Sequence, residues 1–200
     1  VAVAASPRSA GKTYEEAVGG RWKMKTPMPE AAKKLVVLNV NQVEEVAAQV
    51  DFGFSAVDMS KDEIRAIEEA YAKAEVPVVS NNSAHRWTPD VPMMVPELNP
   101  EHAEIIPYQR KRLGTKRGFI AVKPNCSIQS YTPALHALRE FEPTLVVATT
   151  YQAISGAGKT FKDWPEMIDN VIPYIAGEEE KSEQEPLRIW GKIEDGVIKK

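Results

Sequence analysis

Short apolar runs alternate with short amphipathic runs along most of this chain, and no other feature narrows its fold so far. Residues 35–40, 51–57, 76–80 and 119–122 read as strands bounded by turn formers. Between them, residues 41–50 put Val43, Val46 and Ala47 on one helical face, and residues 61–74 do the same with Ile64, Ile67 and Tyr71. Ser60 stands as an N-cap with Glu63 at the capping-box position. Strands and helices that alternate on short connections predict a parallel α/β sheet. Val1-Ala2-Val3-Ala4-Ala5 reads as a further buried strand. Leu145-Val146-Val147-Ala148 reads as another, feeding the glycine-rich turn 151–158, and Asp195-Gly196 signals a turn before one more strand. With strand-like sequence at both ends, the chain is expected to be a piece of a longer one.

Ligands of open α/β sheets gather at the carboxyl ends of strands. The first strand runs into Ser6-Pro7-Arg8-Ser9-Ala10-Gly11-Lys12. A dinucleotide-binding strand often ends there in an acid that takes ribose hydroxyls, whereas an Arg accommodates a 2′-phosphate. In such a fold Ser6, Arg8 and Ser9 are candidates for binding NADP; outside it they are an ordinary polar loop. The strand at 76–80 opens into Asn81-Asn82-Ser83-Ala84-His85-Arg86-Trp87. Arg86 is a candidate anion clamp, because its planar fork matches phosphate or carboxylate; a surface Arg paired with an acid is the plainer reading. His85 reads as a loop histidine. Residues 88–100, broken by Pro89, Pro92, Pro96 and Pro100, read as extended and irregular, with Asn99 as a turn residue or a ligand contact.

The only cysteine lies in Val122-Lys123-Pro124-Asn125-Cys126-Ser127-Ile128-Gln129-Ser130. The strand breaks at Pro124 and a helix over 127–141 follows, which places Cys126 at a helix start. Unpaired N–H groups and the positive end of the dipole at such a start favour a thiolate over a thiol. A lone cysteine can also be a buried filler, but Asn, Ser and Gln flank this one where a filler would have Val, Leu and Ala. His136 lies too far along the helix to serve as its base. Farther on, the acidic run 177–185 reads as a solvated helix face, yet Glu178 and Lys181 share that face at i and i+3 and can offer opposite charges to a zwitterion.

Composition closes off other classes. No apolar run approaches the ~18 residues that cross a bilayer, and a single cysteine rules out an internal disulfide and suits a cytoplasmic setting. A net charge of −3 argues against general nucleic-acid binding, and Arg110-Lys111-Arg112 with Lys116-Arg117 reads as a local solvated loop. No membrane partner and no metal site are expected. A cysteine at a helix start, an anion-reading Arg and an NADP-like strand end together suggest aldehyde oxidation through a thioester. The thiolate adds to the carbonyl carbon, hydride leaves for the nicotinamide, and the acyl group passes to phosphate or CoA.

Longer strings carry a resemblance. The segment 6–12, Asn82-Ser83-Ala84-His85-Arg86, Val91-Pro92-Met93-Met94-Val95-Pro96-Glu97-Leu98-Asn99, Pro124-Asn125-Cys126-Ser127, the segment 151–158, and residues 170–175 through Glu178-Glu179-Glu180-Lys181 resemble the aspartate-semialdehyde dehydrogenase family. The archaeal and fungal branch is the most similar. The resemblance implies a Rossmann-like NADP-binding domain over 1–123 and an α+β catalytic and dimerisation domain over 124–200, both incomplete. It implies that Cys126 is the nucleophile and that Asn125 and Gln152 position substrate and cysteine. Arg86 would bind phosphate with Asn99 nearby, while Glu178 and Lys181 would contact the amino-acid end of aspartate semialdehyde or aspartyl phosphate. Arg8 and Ser9, beside Ser6, would hold the NADP 2′-phosphate, and Ser155 and Gly156 would border the cofactor. A homodimer or homotetramer is implied, with a role in lysine, methionine and threonine biosynthesis.

The sequence departs from the family in lacking its Gly-x-x-Gly-x-x-Gly turn before the first strand and its late segment with the catalytic His and a second substrate Arg. None of His85, His102 and His136 fits that motif, so these residues alone are expected to be inactive. Gly158-Lys159-Thr160-Phe161 replaces a Gly-Tyr-Pro-Gly variation common in the branch. Three other readings compete: a related acyl-CoA reductase such as malonyl-CoA reductase, a non-catalytic module of the same fold, and a nucleotide triphosphatase. The last rests on residues 153–160, which approach a P-loop but have Ala153 where its first Gly is needed.

Overall fold

The computed structural model describes residues 1–157 and 159–200. Gly158, which closes the glycine-rich turn read from sequence, lies outside the described residues. In chain order the elements are β1 (Val3–Ala5), α1 (Tyr14–Val18), α2 (Glu30–Lys33), β2 (Val37–Asn39), α3 (Val43–Ala47), β3 (Gly53–Ser55), α4 (Lys61–Lys73) and β4 (Val78–Ser80). After them come α5 (Ile106–Leu113), β5 (Ile120–Val122), α6 (Cys126–Ala137), α7 (Glu178–Ile189), β6 (Lys192–Glu194) and β7 (Val197–Lys199). β1 pairs with β2 in parallel, and β3, β4 and β5 form a second parallel sheet in that order. The parallel α/β arrangement read from the alternating pattern is present, and with it the Rossmann-like character that the resemblance implies. β6 and β7 make an antiparallel hairpin around the Asp195-Gly196 turn.

The helix signals act as read. Ser60 Oγ caps α4 by accepting from Glu63 N at 3.3 Å, and Glu63 Oε2 accepts from Ser60 N at 3.0 Å. Thr13 and Glu16 build a second capping box at α1. Gly118 admits β5 to the sheet, because a Cβ there would lie 1.8 Å from the Ala72 carbonyl oxygen at the end of α4.

The core lies around β4 and β5. Val91, Met93, Ile120, Ile128 and Ile189 are each wholly buried, and burying one such side chain is worth roughly 1.5–3 kcal/mol. The proline-rich segment is extended and lies along β5: Met94 N donates to Val122 O at 2.9 Å, and Val122 N to Pro92 O at 3.0 Å. Prolines are tolerated where the ladder asks no N–H of them. Ile128 on α6 and Ile189 on α7 share this core, which fixes both helices beside the end of β5.

Two sequence expectations fail, one of them only in part. Leu145-Val146-Val147-Ala148 forms no strand; Leu145 and Val147 are 80% and 88% exposed. β-structure requires a neighbouring backbone to accept and donate, and among the described residues none runs beside this segment. The basic cluster is a solvated loop only at Lys116 and Arg117, which lie on an exposed bend. Arg110, Lys111 and Arg112 lie on α5, where Arg112 Nε meets Asp90 Oδ2 at 2.5 Å and Nη1 meets Glu69 Oε1 at 3.2 Å. No helix among the described residues is long and apolar enough to cross a membrane.

Candidate active site

β5 ends at Val122, Pro124 breaks the ladder, and Asn125 caps α6 by accepting from Ser127 N at 3.2 Å. Cys126 is the first residue of the helix, exposed, with its thiol 3.4 Å from Asn125 Oδ1. The site therefore follows from a strand, a proline stop and an Asn cap in succession.

Two carboxylates from α7 organise the surroundings. Gly177, at φ +71°, takes the left-handed turn that brings Glu178 to the helix start. Glu178 Oε1 accepts from Asn125 Nδ2 at 2.7 Å, from Gln152 Nε2 at 2.9 Å and from the Ser127 hydroxyl. Its other oxygen lies 3.5 Å from Lys181 Nζ. Burial alone would push the Glu178 carboxyl up; the hydrogen bonds from Ser127, Asn125 and Gln152, with the Lys181 charge, outweigh burial and hold it below its ordinary value.

Glu185 is the second carboxylate and is buried. Its Oε2 accepts the Asn125 backbone N–H at 2.7 Å, and its Oε1 meets Arg86 Nη1 at 3.1 Å. Arg86 Nε donates to Lys123 O at 3.0 Å. The guanidinium thus braces the loop before Cys126, and its Nη2 has no hydrogen-bond partner among the described residues. The plainer reading of Arg86, pairing with an acid, is half of its structural role.

Of the residues singled out in sequence, the structure gathers Cys126, Asn125, Gln152, Glu178 and Lys181 into one hydrogen-bonded cluster, with Arg86 joined through Glu185. Asn99 stands apart. It is wholly buried, its Oδ1 accepts from Val95 N, and its Nδ2 donates to Met93 O and His102 Nδ1, each at about 3 Å. Its amide holds the proline-rich segment, so the turn role describes it and ligand contact does not. Glu185 and Ser127 escaped the sequence reading. Glu185 sits at i+7 from Glu178 and so shares its helical face, a signal hidden by the acidic run around it.

The cofactor candidates lie on two other segments. In the turn after β1, Ser9 N and Ala10 N donate to Ser6 O at 2.9 and 3.2 Å. Arg8 on this turn is exposed and has no hydrogen bond or ion pair among the described residues. A free guanidinium with flanking hydroxyls fits a phosphate group. Ser155 and Gly156 lie on a single exposed helical turn, Ile154–Ala157. That turn borders an open cleft of about 460 Å³ lined by Gln152, Ser155, Lys159, Phe161 and Met167. Gln152 connects this cleft to the cysteine cluster. A P-loop would need a strand before residue 153, and the described residues there form none.

A Rossmann-like sheet with an unpartnered Arg8 after its first strand, joined to a cysteine at a helix start, has the form of a nucleotide-binding domain attached to a thiol site. Residues 1–106 match the family model described as semialdehyde dehydrogenase, NAD binding domain, and the chain belongs to that family. It is 41% identical to aspartate-semialdehyde dehydrogenase of Aspergillus fumigatus over 194 residues, 96% of this chain and 52% of the relative. It is 38% identical to the enzyme so named from Methanothermobacter thermautotrophicus over 198 residues, 98% of this chain and 55% of the relative. The crystal structure of aspartate semialdehyde dehydrogenase with NADP from Candida albicans superposes with a TM-score of 0.80 at 35% identity, covering 98% of this chain and 55% of that one. The chain thus spans about half the length of the curated relatives it matches.

Proposed function

We propose that the whole protein is an NADP- and phosphate-dependent aspartate-semialdehyde dehydrogenase, interconverting L-aspartate 4-semialdehyde and L-4-aspartyl phosphate through a thioester on Cys126. The observation that carries this reading is the cluster at the start of α6, where an exposed thiol sits beside the Asn125–Glu178–Gln152 network and a braced guanidinium. The names of the fungal and archaeal relatives support the choice of substrate.

In the oxidative direction the Cys126 thiolate adds to the aldehyde carbon. Asn125 and Gln152 orient the substrate at that thiol, and the Glu178 carboxylate with Lys181 receives its amino-acid end. NADP, when bound, supplies the hydride acceptor. Arg8 with Ser6 and Ser9 binds its 2′-phosphate, and Ser155 and Gly156 border the nicotinamide. Loss of hydride from the former aldehyde carbon and of the proton from its hydroxyl leaves the thioester. Phosphate held by Arg86 then attacks the acyl carbon, the C–S bond breaks, and Cys126 returns as thiolate. His85, His102 and His136 are held by Thr88, by Asn99 with Gly191, and by Trp190, so none is cast as the base for that hydroxyl proton. In the reverse direction Cys126 displaces phosphate from aspartyl phosphate, a step that serves lysine, methionine and threonine formation. The protein acts in the cytoplasm as a homodimer or homotetramer, with 1–123 as the NADP-binding part and 124–200 as part of the catalytic and dimerisation domain.

The test is NADP reduction by the full-length protein with aspartate semialdehyde and phosphate, wild type against Cys126→Ala. Activity in the wild type alone supports the reading. Equal activity in both removes the thioester, and activity only with CoA-linked substrates turns the assignment to an acyl-CoA reductase.

A further inference from the structure

Glu185 holds two groups that the proposed chemistry uses at different moments. Its Oε2 accepts the backbone N–H of Asn125, the residue before the nucleophile, at 2.7 Å; its Oε1 meets the Arg86 guanidinium at 3.1 Å. Arg86 closes the loop by donating from Nε to Lys123 O at 3.0 Å. Carboxylate, guanidinium and the segment 123–125 therefore form a closed ring of contacts, in which Glu185 is 1% exposed. We propose that Glu185 is a positioning residue which sets the distance between the phosphate-binding edge of Arg86 and the Cys126 thiol.

The physical case has three parts. First, a carboxylate buried this deeply is retained only where its charge and lone pairs are met, and both oxygens of Glu185 are met by groups of this one site. Second, the ring leaves Arg86 Nη2 as the guanidinium nitrogen without a partner among the described residues, so it fixes which edge faces an incoming anion. Third, phosphate attack on an acyl-cysteine needs its oxygen within near-attack distance of the acyl carbon. Misplacing a reacting group by about 1 Å can cost on the order of 10²-fold. Glu185 touches neither thiol nor anion in this arrangement; it acts through Asn125 and Arg86.

This inference rests on the phosphate-dependent reading, so its test carries an arm that does not require turnover. Glu185→Gln keeps the shape but can accept from only one of the two donors. In the full-length variant, kcat per titrated Cys126 thiol is expected to fall about 10- to 100-fold. The KM for phosphate should rise, and the KM for aspartate semialdehyde should hold. In the second arm, inorganic phosphate protects Cys126 from iodoacetamide, and the half-protecting concentration should rise about 10-fold in Glu185→Gln, one lost charge-assisted contact. A merely structural residue would lower the melting temperature and the titratable fraction while leaving both phosphate readouts unchanged; that result overturns the proposal. So does additivity of Glu185→Gln with Arg86→Lys, because residues acting through one ring are non-additive. If Glu185→Gln does not fold, Glu185→Asp, which keeps the charge but is one methylene short, is judged by the same two readouts. A wild type that fails to turn over but shows phosphate protection lost in the variant would sink the enzyme reading and keep the positioning role.

Discussion

Arg8 and Arg86 follow the carboxyl ends of two parallel strands, and the same side-chain chemistry makes both candidate anion binders. Their surroundings differ in nearly every respect. Arg8 lies on an exposed turn with no protein partner among the described residues, whereas Arg86 is 7% exposed and braced by Glu185 and Lys123. A free guanidinium meets an anion in high dielectric, where attraction is weak, screened by salt, and tolerant of position. A buried, oriented one meets it where geometry is fixed beforehand. Recognition of one cofactor over another needs only the first; a reaction at a neighbouring sulfur needs the second. The contrast teaches that the two sites differ in preorganisation, with a similar charge at each.

The contrast breaks most visibly at Arg86. Removing one partner of a buried ion pair leaves the other uncompensated and costs about 3–5 kcal/mol. Arg86→Ala should therefore lower urea-unfolding stability by that order and abolish phosphate-dependent turnover together. A variant that loses phosphate dependence at unchanged stability would mean the pair is not a bracing contact. Arg8→Ala should do the reverse. Loss of a charge-assisted contact worth about 1.5–3 kcal/mol should weaken NADP at least tenfold in a binding titration, leave NAD and stability unchanged, and matter less as salt is raised. Equal weakening of NADP and NAD would remove Arg8 from the 2′-phosphate.

A third carboxylate sharpens the comparison at smaller scale. Glu75 accepts backbone N–H groups of Lys116, Gly118 and Arg117, and these hold its carboxyl down at about 2. Its folded value lies below the ordinary 4.5, so the stability it contributes is present above that range and is lost as pH falls toward 2. The melting-temperature gap between wild type and Glu75→Gln should be constant near neutrality and close between pH 4.5 and 2. A gap that persists at the acid end would show that shape and not charge locks the loop.

Legibility in the sequence tracks how local each cause is. α4 can be read because Ser60, Glu63 and the Ile64 face all lie within the helix and its cap. β2 to β5 can be read as apolar runs, but each forms only over the three residues that a neighbouring strand reaches. Leu145-Val146-Val147-Ala148 carries the same local signal and forms no strand, because a strand is a property of a pair. Cys126 can be read from its helix start and Glu178 with Lys181 from their shared face, Asn125 and Gln152 only through the family resemblance, and the fold brings all five into contact. Glu185 was lost in an acidic run since its burial is decided by Arg86, 99 positions away. Asn99 reads as a turn residue or a ligand contact, and its amide is taken up close by in the chain, by His102 and the backbone of Met93 and Val95.

The central claim, an acyl group carried on the cysteine at the start of α6, has one direct measurement. Full-length protein is mixed with aspartate semialdehyde and NADP in the absence of phosphate, quenched in acid, and its Cys126 peptide is weighed by mass spectrometry. The account predicts a burst of NADPH matching the number of Cys126 thiols, an aspartyl group on Cys126, and its release as aspartyl phosphate when phosphate is added. Turnover with an unmodified Cys126, or an acyl group found elsewhere in the chain, would contradict it.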